Sequence, residues 1–268
     1  MTTPALSIVI VSYNARQVLE GCLQSLSDAP PSISHEIVVV DNASSDGSPE
    51  AAGRWSSVRV IPAGSNLGFS AASNLGIRAT TGDLLLLLNS DTVVPPGAID
   101  ALVATLRQHP DVAVVGPRLL NGDRQPELSF GRMISPLSEF QQRRLMKAVE
   151  RGDALTLSRI DTMTREEQRP DWVSGACLLV RRADAEAVGL LDERYFMYTE
   201  DVDFCAAIRA RGRHILFSPE IEVVHLKGRS VASAPEATRA AYERSHLAFY
   251  EKHHPRLVPF LRLFRRLT

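Results

Sequence analysis

"LSIVIVSYNARQVLEGCLQSLSD", residues 6 to 28, is the stretch on which the fold turns. Its opening, "LSIVIVSY" over 6–13, is a β-branched, nearly all-apolar run, the pattern of a strand covered on both faces. The continuation, "ARQVLEGCLQSLSD", sets Val18, Leu19, Cys22, Leu23 and Leu26 on one helical face. Strand then helix is the unit of an α/β fold.

The unit repeats outward from there. "EIVVV" (36–40) is followed by a Ser/Asp/Gly turn and a predicted helix near 49–55, then by "VRVI" (58–61). A Gly/Asn loop leads into a predicted helix over roughly 69–79, followed by "LLLLL" (84–88), a helix over 97–108 and "VAVV" (112–115). This alternation predicts a Rossmann-like, mostly parallel sheet with helices on both faces, spanning residues 1–118. Past Pro117 the alternation stops. "NGDRQPELSFGRMISP" is turn-rich, 137–168 reads as helical and highly charged, and "WVSGACLLV" (172–180) resumes as a strand. "HILFSPEIEVVHL" offers short strands, and 236–253 reads as a terminal helix. The expected division is 1–118, 119–232 and a C-terminal helical tail over 233–268.

Composition narrows the function classes. With 30 basic against 31 acidic residues and a net charge of −1, no global field recruits nucleic acid. Cys22, Cys177 and Cys205 form no CxxC pair, and Cys177, inside the apolar run "ACLLV", reads as a small buried hydrophobe, which fits a reducing, cytoplasmic setting. The N-terminus shows no secretory pattern, and "LLLLL" is far short of the ~18 apolar residues of a membrane span.

In an open parallel sheet, ligands bind beyond the carboxyl ends of the strands. Those ends are polar here: Ser12, Tyr13 and Asn14; "DNASSDGS" from Asp41 and Asn42; "GSNLGFS" with Asn66, Gly68 and Phe69; and Asn89, Ser90 and Asp91. Each alone reads as turn and cap chemistry; four at one edge read as a site. A dehydrogenase-like site would carry GxGxxG after the first strand, and no glycine stands there before Gly21. Asp41 can accept from a nucleoside base N–H or a ribose hydroxyl. Asp91 ends a buried strand, where an unpaired carboxylate is costly, and a divalent cation bridging a diphosphate relieves that cost. Farther on, "TEDVD" crowds Glu200, Asp201 and Asp203 behind Thr199. A helix start with Thr199 as N-cap explains negative charge there, but not its amount. Helix spacing puts Glu200 and Asp203 on one face and Asp201 elsewhere, so one carboxylate is free to take a proton while its neighbours position a substrate or tune it.

Taken in order, "SIVIVSYNA", "VVVDNASSDGS", "NLGFSAASNLGI", "LLLLNSDT", "VSGACLLVRR", "YTEDVDFCAAIRARG" and "HLKGRS" resemble family 2 glycosyltransferases of the GT-A fold, nearest the bacterial rhamnosyltransferase-like branch, over about residues 5–230. The resemblance implies an inverting, metal-dependent transferase. It would move a sugar, L-rhamnose from dTDP-L-rhamnose, to a hydroxyl of a glycan or lipid-linked acceptor in cell wall or polysaccharide biosynthesis. A UDP-hexose donor, or a non-catalytic nucleotide-sugar-binding protein, is the alternative. A glycosidase also uses paired carboxylates, yet needs neither the nucleotide-like edge nor a metal. By resemblance Asp41 contacts the nucleoside, Asp91 and His225 hold Mg²⁺ or Mn²⁺, and Asp201 is the catalytic base. The substrate-binding set adds Ser12, Tyr13, Asn14, Asn42, Asn66, Gly68, Phe69, Asn74, Asn89, Ser90, Trp172, Gly175, Glu200, Lys227 and Arg229. One departure stands out: Asn89 occupies the position where the family motif begins with Asp.

In "PRLVPFLRLFRRLT", Leu257, Phe260, Leu261, Phe264 and Leu267 share a helical arc opposite Arg262, Arg265 and Arg266. This predicts peripheral membrane contact through 256–268, or packing on the protein or a second copy in a homodimer.

Overall fold

The structure, a computed structural model, describes residues 3–226 and 235–267. Ten strands and ten α-helices are found among them. The main sheet holds β1 (Leu6–Ser12), β2 (His35–Asp41), β3 (Val58–Pro62), β4 (Leu84–Asn89), β5 (Thr92–Val93), β6 (Val112–Leu120), β9 (Cys177–Arg181) and β10 (His214–His225). Their spatial order is β3-β2-β1-β4-β9-β6-β10-β5. β7 (Phe130–Gly131) and β8 (Trp172–Val173) make a separate two-stranded ribbon.

Alternation along the apolar strands explains their composition. Leu84, Leu86 and Leu88 point to one face, where α1 (Arg16–Asp28) and α4 (Ala98–Gln108) bury Leu19, Leu23, Leu102 and Leu106 with them. Leu85 and Leu87 point to the other, towards Ile77 of α3 (Gly68–Arg78) and Phe204 and Ile208 of α8 (Glu200–Ala210). Short α2 (Ser48–Ala52) lies beside α1, and α7 (Arg182–Ala187) follows β9.

Three expectations change. "WVSGACLLV" is not one strand: it breaks at 174–176, and β9 then runs antiparallel between β4 and β6. The break has a use, because the Ala176 carbonyl accepts from Asn89 N–H at 2.9 Å and Gly175 N–H turns to a side chain. The helical stretch 137–168 divides into α5 (Pro136–Glu150) and α6 (Ala154–Met163) around Gly152, whose φ is +70°. The short strands after residue 213 are one strand, β10, with irregular register between Ser218 and Glu222, around Pro219. The tail is α9 (Pro235–His253), a 3₁₀ turn and α10 (Val258–Leu267).

Candidate active site

Register gathers the polar strand ends. Ser12 pairs with Asp41, Asp41 with Pro62, and Val11 with Asn89, so the first, second and fourth strands end side by side. Asp41 is buried and accepts from Ser44 N–H, which bends the chain sharply at the strand end. Ser12 Oγ is buried with no hydrogen-bond partner among the described residues, while Tyr13 is exposed beside it. Asn14, at φ +48°, accepts from Ser45 N–H at 2.8 Å, tying the loops after β1 and β2 together.

The asparagines of this edge serve mainly as braces. Buried Asn42 accepts from Leu67 N–H at 2.8 Å and donates to Asn66 Oδ1 at 2.9 Å; Asn66 in turn receives Gly68 N–H. Asn74 exchanges hydrogen bonds with both backbone groups of Leu191 and donates to Glu193 at 2.9 Å, which fastens α3 to the segment before α8. Gly68 shows why that loop is glycine: its φ is +81°, and a β-carbon there would lie 2.3 Å from the Phe196 carbonyl. Phe69 N–H donates to the same carbonyl at 2.6 Å.

Beyond Asn89 the chain turns through Ser90 and Asp91, and β10 returns beside it, Thr92 pairing with His225 and Leu226 N–H donating to the Asp91 carbonyl. His225 Nε2 lies 3.2 Å from Asp91 Oδ1 and 3.3 Å from Asn89 Nδ2. Its Nδ1 lies 3.4 Å from Glu127 Oε2. Burial would lower the His225 pKa, but the hydrogen bonds and charges of Asp91 and Glu127 outweigh it and raise the value to about 9. Glu127 is the residue the sequence concealed: it sits in turn-rich "NGDRQPELSF", where no periodicity or motif marks it. A carboxylate behind a histidine fixes the ring's orientation, the arrangement that metal-binding histidines carry. Among the described residues no group of three His, Cys, Asp or Glu converges as a cage. The carboxylate oxygen of Asp91 and the imidazole nitrogen of His225, 3.2 Å apart, are donor types suited to Mg²⁺ or Mn²⁺, and these two residues would hold such an ion.

The acid cluster lies next along the same edge. Asp201 Oδ2 accepts from Gly175 N–H at 2.9 Å, beside Phe69, and its Oδ1 accepts from Val202 N–H. Burial raises the Asp201 pKa against the pull of those two N–H groups. Burial, and then the Asp201 charge, hold Glu200 well above the usual carboxylate range, and its Oε2 has no partner among the described residues. Thr199 does not cap α8 with its hydroxyl: its φ is +65° and its Oγ1 is likewise unpartnered. Asp203 turns away into the protein, where Tyr195, Lys252 and His253 surround it. Trp172 packs over Gly131 and donates to the Arg132 carbonyl at 2.9 Å, in the ribbon alongside α8. Lys227 and Arg229 lie outside the described residues.

Residues 7–165 match the family described as "Glycosyl transferase family 2". The chain is 34% identical over 275 residues to the N-acetylglucosaminyl-diphospho-decaprenol L-rhamnosyltransferase of Mycobacterium tuberculosis, covering 94% of this chain and 86% of the relative. It is 28% identical over 230 residues to the low-salt glycan biosynthesis hexosyltransferase Agl10 of Haloferax volcanii, covering 82% and 66%. Among solved structures, the mannosyltransferase of Pyrobaculum calidifontis in complex with GDP-Man and Mn²⁺ superposes with a TM-score of 0.63 at 19% identity, over 98% of this chain and 69% of that one. GalNAc-T7 with UDP, GalNAc and Mn²⁺ gives 0.63 at 19%, over 84% and 44%. The architecture is thus the GT-A fold.

Proposed function

The chain belongs to glycosyltransferase family 2, and from that premise we propose that it moves L-rhamnose from dTDP-L-rhamnose to a hydroxyl of a lipid-linked N-acetylglucosaminyl diphosphate, with inversion. The observation that carries the reading is the single edge on which Ser12, Asp41 and Asn89 end neighbouring strands, with Asp91 in the turn after Asn89 and Asp201 held beside them by Gly175 N–H. Asp41 takes the base N–H, Asn42 and Asn66 brace the loop along the nucleotide, and Asn74 fastens α3 to the segment before α8.

Asp201 accepts the proton of the acceptor hydroxyl, and that oxygen bonds to the anomeric carbon as the carbon's bond to the diphosphate oxygen breaks on the opposite face. The nucleoside diphosphate departs with the electron pair, the proton rests on Asp201, and configuration inverts. Glu200, whose pKa is raised by burial and then by the Asp201 charge, stands beside the base as the group that positions a sugar or acceptor oxygen. Asp91 and His225 would hold Mg²⁺ or Mn²⁺, with Glu127 orienting the imidazole; the ion's contribution is to neutralise charge on the leaving diphosphate. An acceptor of this class is membrane-held. No helix among the described residues is long and apolar enough to cross a membrane. In α10, Leu261 packs on the protein while Phe260 and Leu263 are exposed, which supports peripheral contact at the cytoplasmic face.

Calorimetry with dTDP, UDP and GDP in the presence of Mn²⁺ tests the donor. A pocket shaped for deoxyribose leaves a 2′-hydroxyl unpaired at a cost of roughly 1–3 kcal/mol, so dTDP is expected to bind about 5- to 150-fold more tightly than UDP. Equal binding removes the support for rhamnose, and preferred GDP overturns it.

A further inference from the structure

Asp203 is the member of the acid cluster that the proposed chemistry leaves unused. It lies two residues past Asp201, is buried, and spends both oxygens inside the protein. Oδ1 accepts from the Tyr195 hydroxyl at 3.2 Å and lies 2.6 Å from His253 Nε2; Oδ2 pairs with Lys252 Nζ at 2.8 Å. Lys252 also pairs with Asp192 at 2.8 Å. Two consecutive residues at the end of α9 thus hold both the first turn of α8 and the segment that leads into it.

The same tail helix touches that segment three more times. Ser245 Oγ donates to the Met197 carbonyl at 2.8 Å, and the Tyr242 ring meets Tyr198 edge-on, with centroids 5.8 Å apart. Phe249 is fully buried in one cluster with Tyr195 and Val202. From the donor side, Phe69 N–H grips the Phe196 carbonyl. Between the two grips, Tyr198 and Thr199 hold φ of +72° and +65°. L-residues other than Asn and Asp take that conformation when their surroundings impose it, and such strain gathers at functional sites. These two residues directly precede the first turn of α8, so a change in their backbone would carry Asp201 with it.

We infer that α9 is a clamp on the catalytic segment, and that Lys252 and His253, acting through Asp203, are positioning residues for Asp201. The inference rests on Asp201 being the base of the proposed reaction. A proton transfer depends on sub-ångström placement, and a remote change that shifts the base can cost about 100-fold in rate.

The test uses the full chain with Lys252→Met and His253→Phe combined, and Lys252→Arg alone as the conservative control. With dTDP-rhamnose and a lipid-diphosphate acceptor, kcat of the double variant is expected to fall about 10- to 100-fold, with the dissociation constant for dTDP unchanged and activity retained in Lys252→Arg. Hydrogen exchange reads the clamp without turnover: amides 196–203 exchange faster in the double variant while those of β1 and β4 stay protected. Wild-type kcat in the double variant overturns the inference. So does a loss of dTDP binding and of β1 and β4 protection in step with kcat, which marks general unfolding. Should the wild-type chain transfer no sugar, the glycosyltransferase reading fails by itself, and unchanged exchange at 196–203 still sinks the clamp.

Discussion

Asp201 and Glu200 share the first turn of one helix, and burial, then the charge of Asp201, raise the Glu200 pKa. A carboxyl whose folded pKa lies above its unfolded value binds more protons in the native state, so stability falls as pH rises from the unfolded value, about 4.3, through the folded one. Glu200→Gln cannot ionise. Its melting temperature is expected to change less than that of the wild type as pH rises above about 4.3, and parallel curves would contradict a raised Glu200 pKa. At the other end of the site, Asp91→Ala is expected to weaken nucleotide-diphosphate binding and abolish its dependence on Mn²⁺. Wild-type binding that ignores EDTA would count against the Asp91–His225 pair as a cation site. Among these residues, Asp41, Asp91 and Asp201 stand out in the sequence as candidates: the first two end apolar runs, where a carboxylate is expensive, and Asp201 belongs to a helix start that carries more acid than capping accounts for. Glu127 and the partners of Asp203 do not: their roles depend on contacts 98 and 50 residues away in sequence, which no local pattern encodes.

At the scale of elements, the loop from Gly64 to Phe69 joins the two halves of the site. Asn42 braces it from just past β2, and the Phe196 carbonyl receives it from the segment before α8. Gly68→Ala is expected to destabilise the protein by about 1–2 kcal/mol from its positive φ alone, with the clash at Phe196 added. Urea unfolding measures this, and a variant as stable as wild type would mean that the loop is free to move off the segment. The strand and helix positions along 6–115 were readable from period and turn chemistry because local pattern and tertiary burial agree there. β9 was not. Its residues are apolar on both faces like their parallel neighbours, and nothing in "ACLLV" distinguishes an antiparallel insertion from a parallel strand.

For the whole molecule, the sheet sets polar residues at the ends of β1, β2 and β4, β10 brings His225 to the same edge, and α8 brings Asp201 to Gly175 there. Insertion of β9 beside β4 carries Gly175 there, and Gly175 N–H holds Asp201. The proposed reaction therefore depends on Asp201 as its base. The direct test is transfer by Asp201→Asn, measured with dTDP-rhamnose and a lipid-diphosphate acceptor, alongside dTDP affinity by calorimetry. The amide keeps size and removes basicity, so affinity is expected to stay at the wild-type value while transfer falls by about 10²–10⁴-fold. Near-normal transfer by that variant would contradict a base role for Asp201.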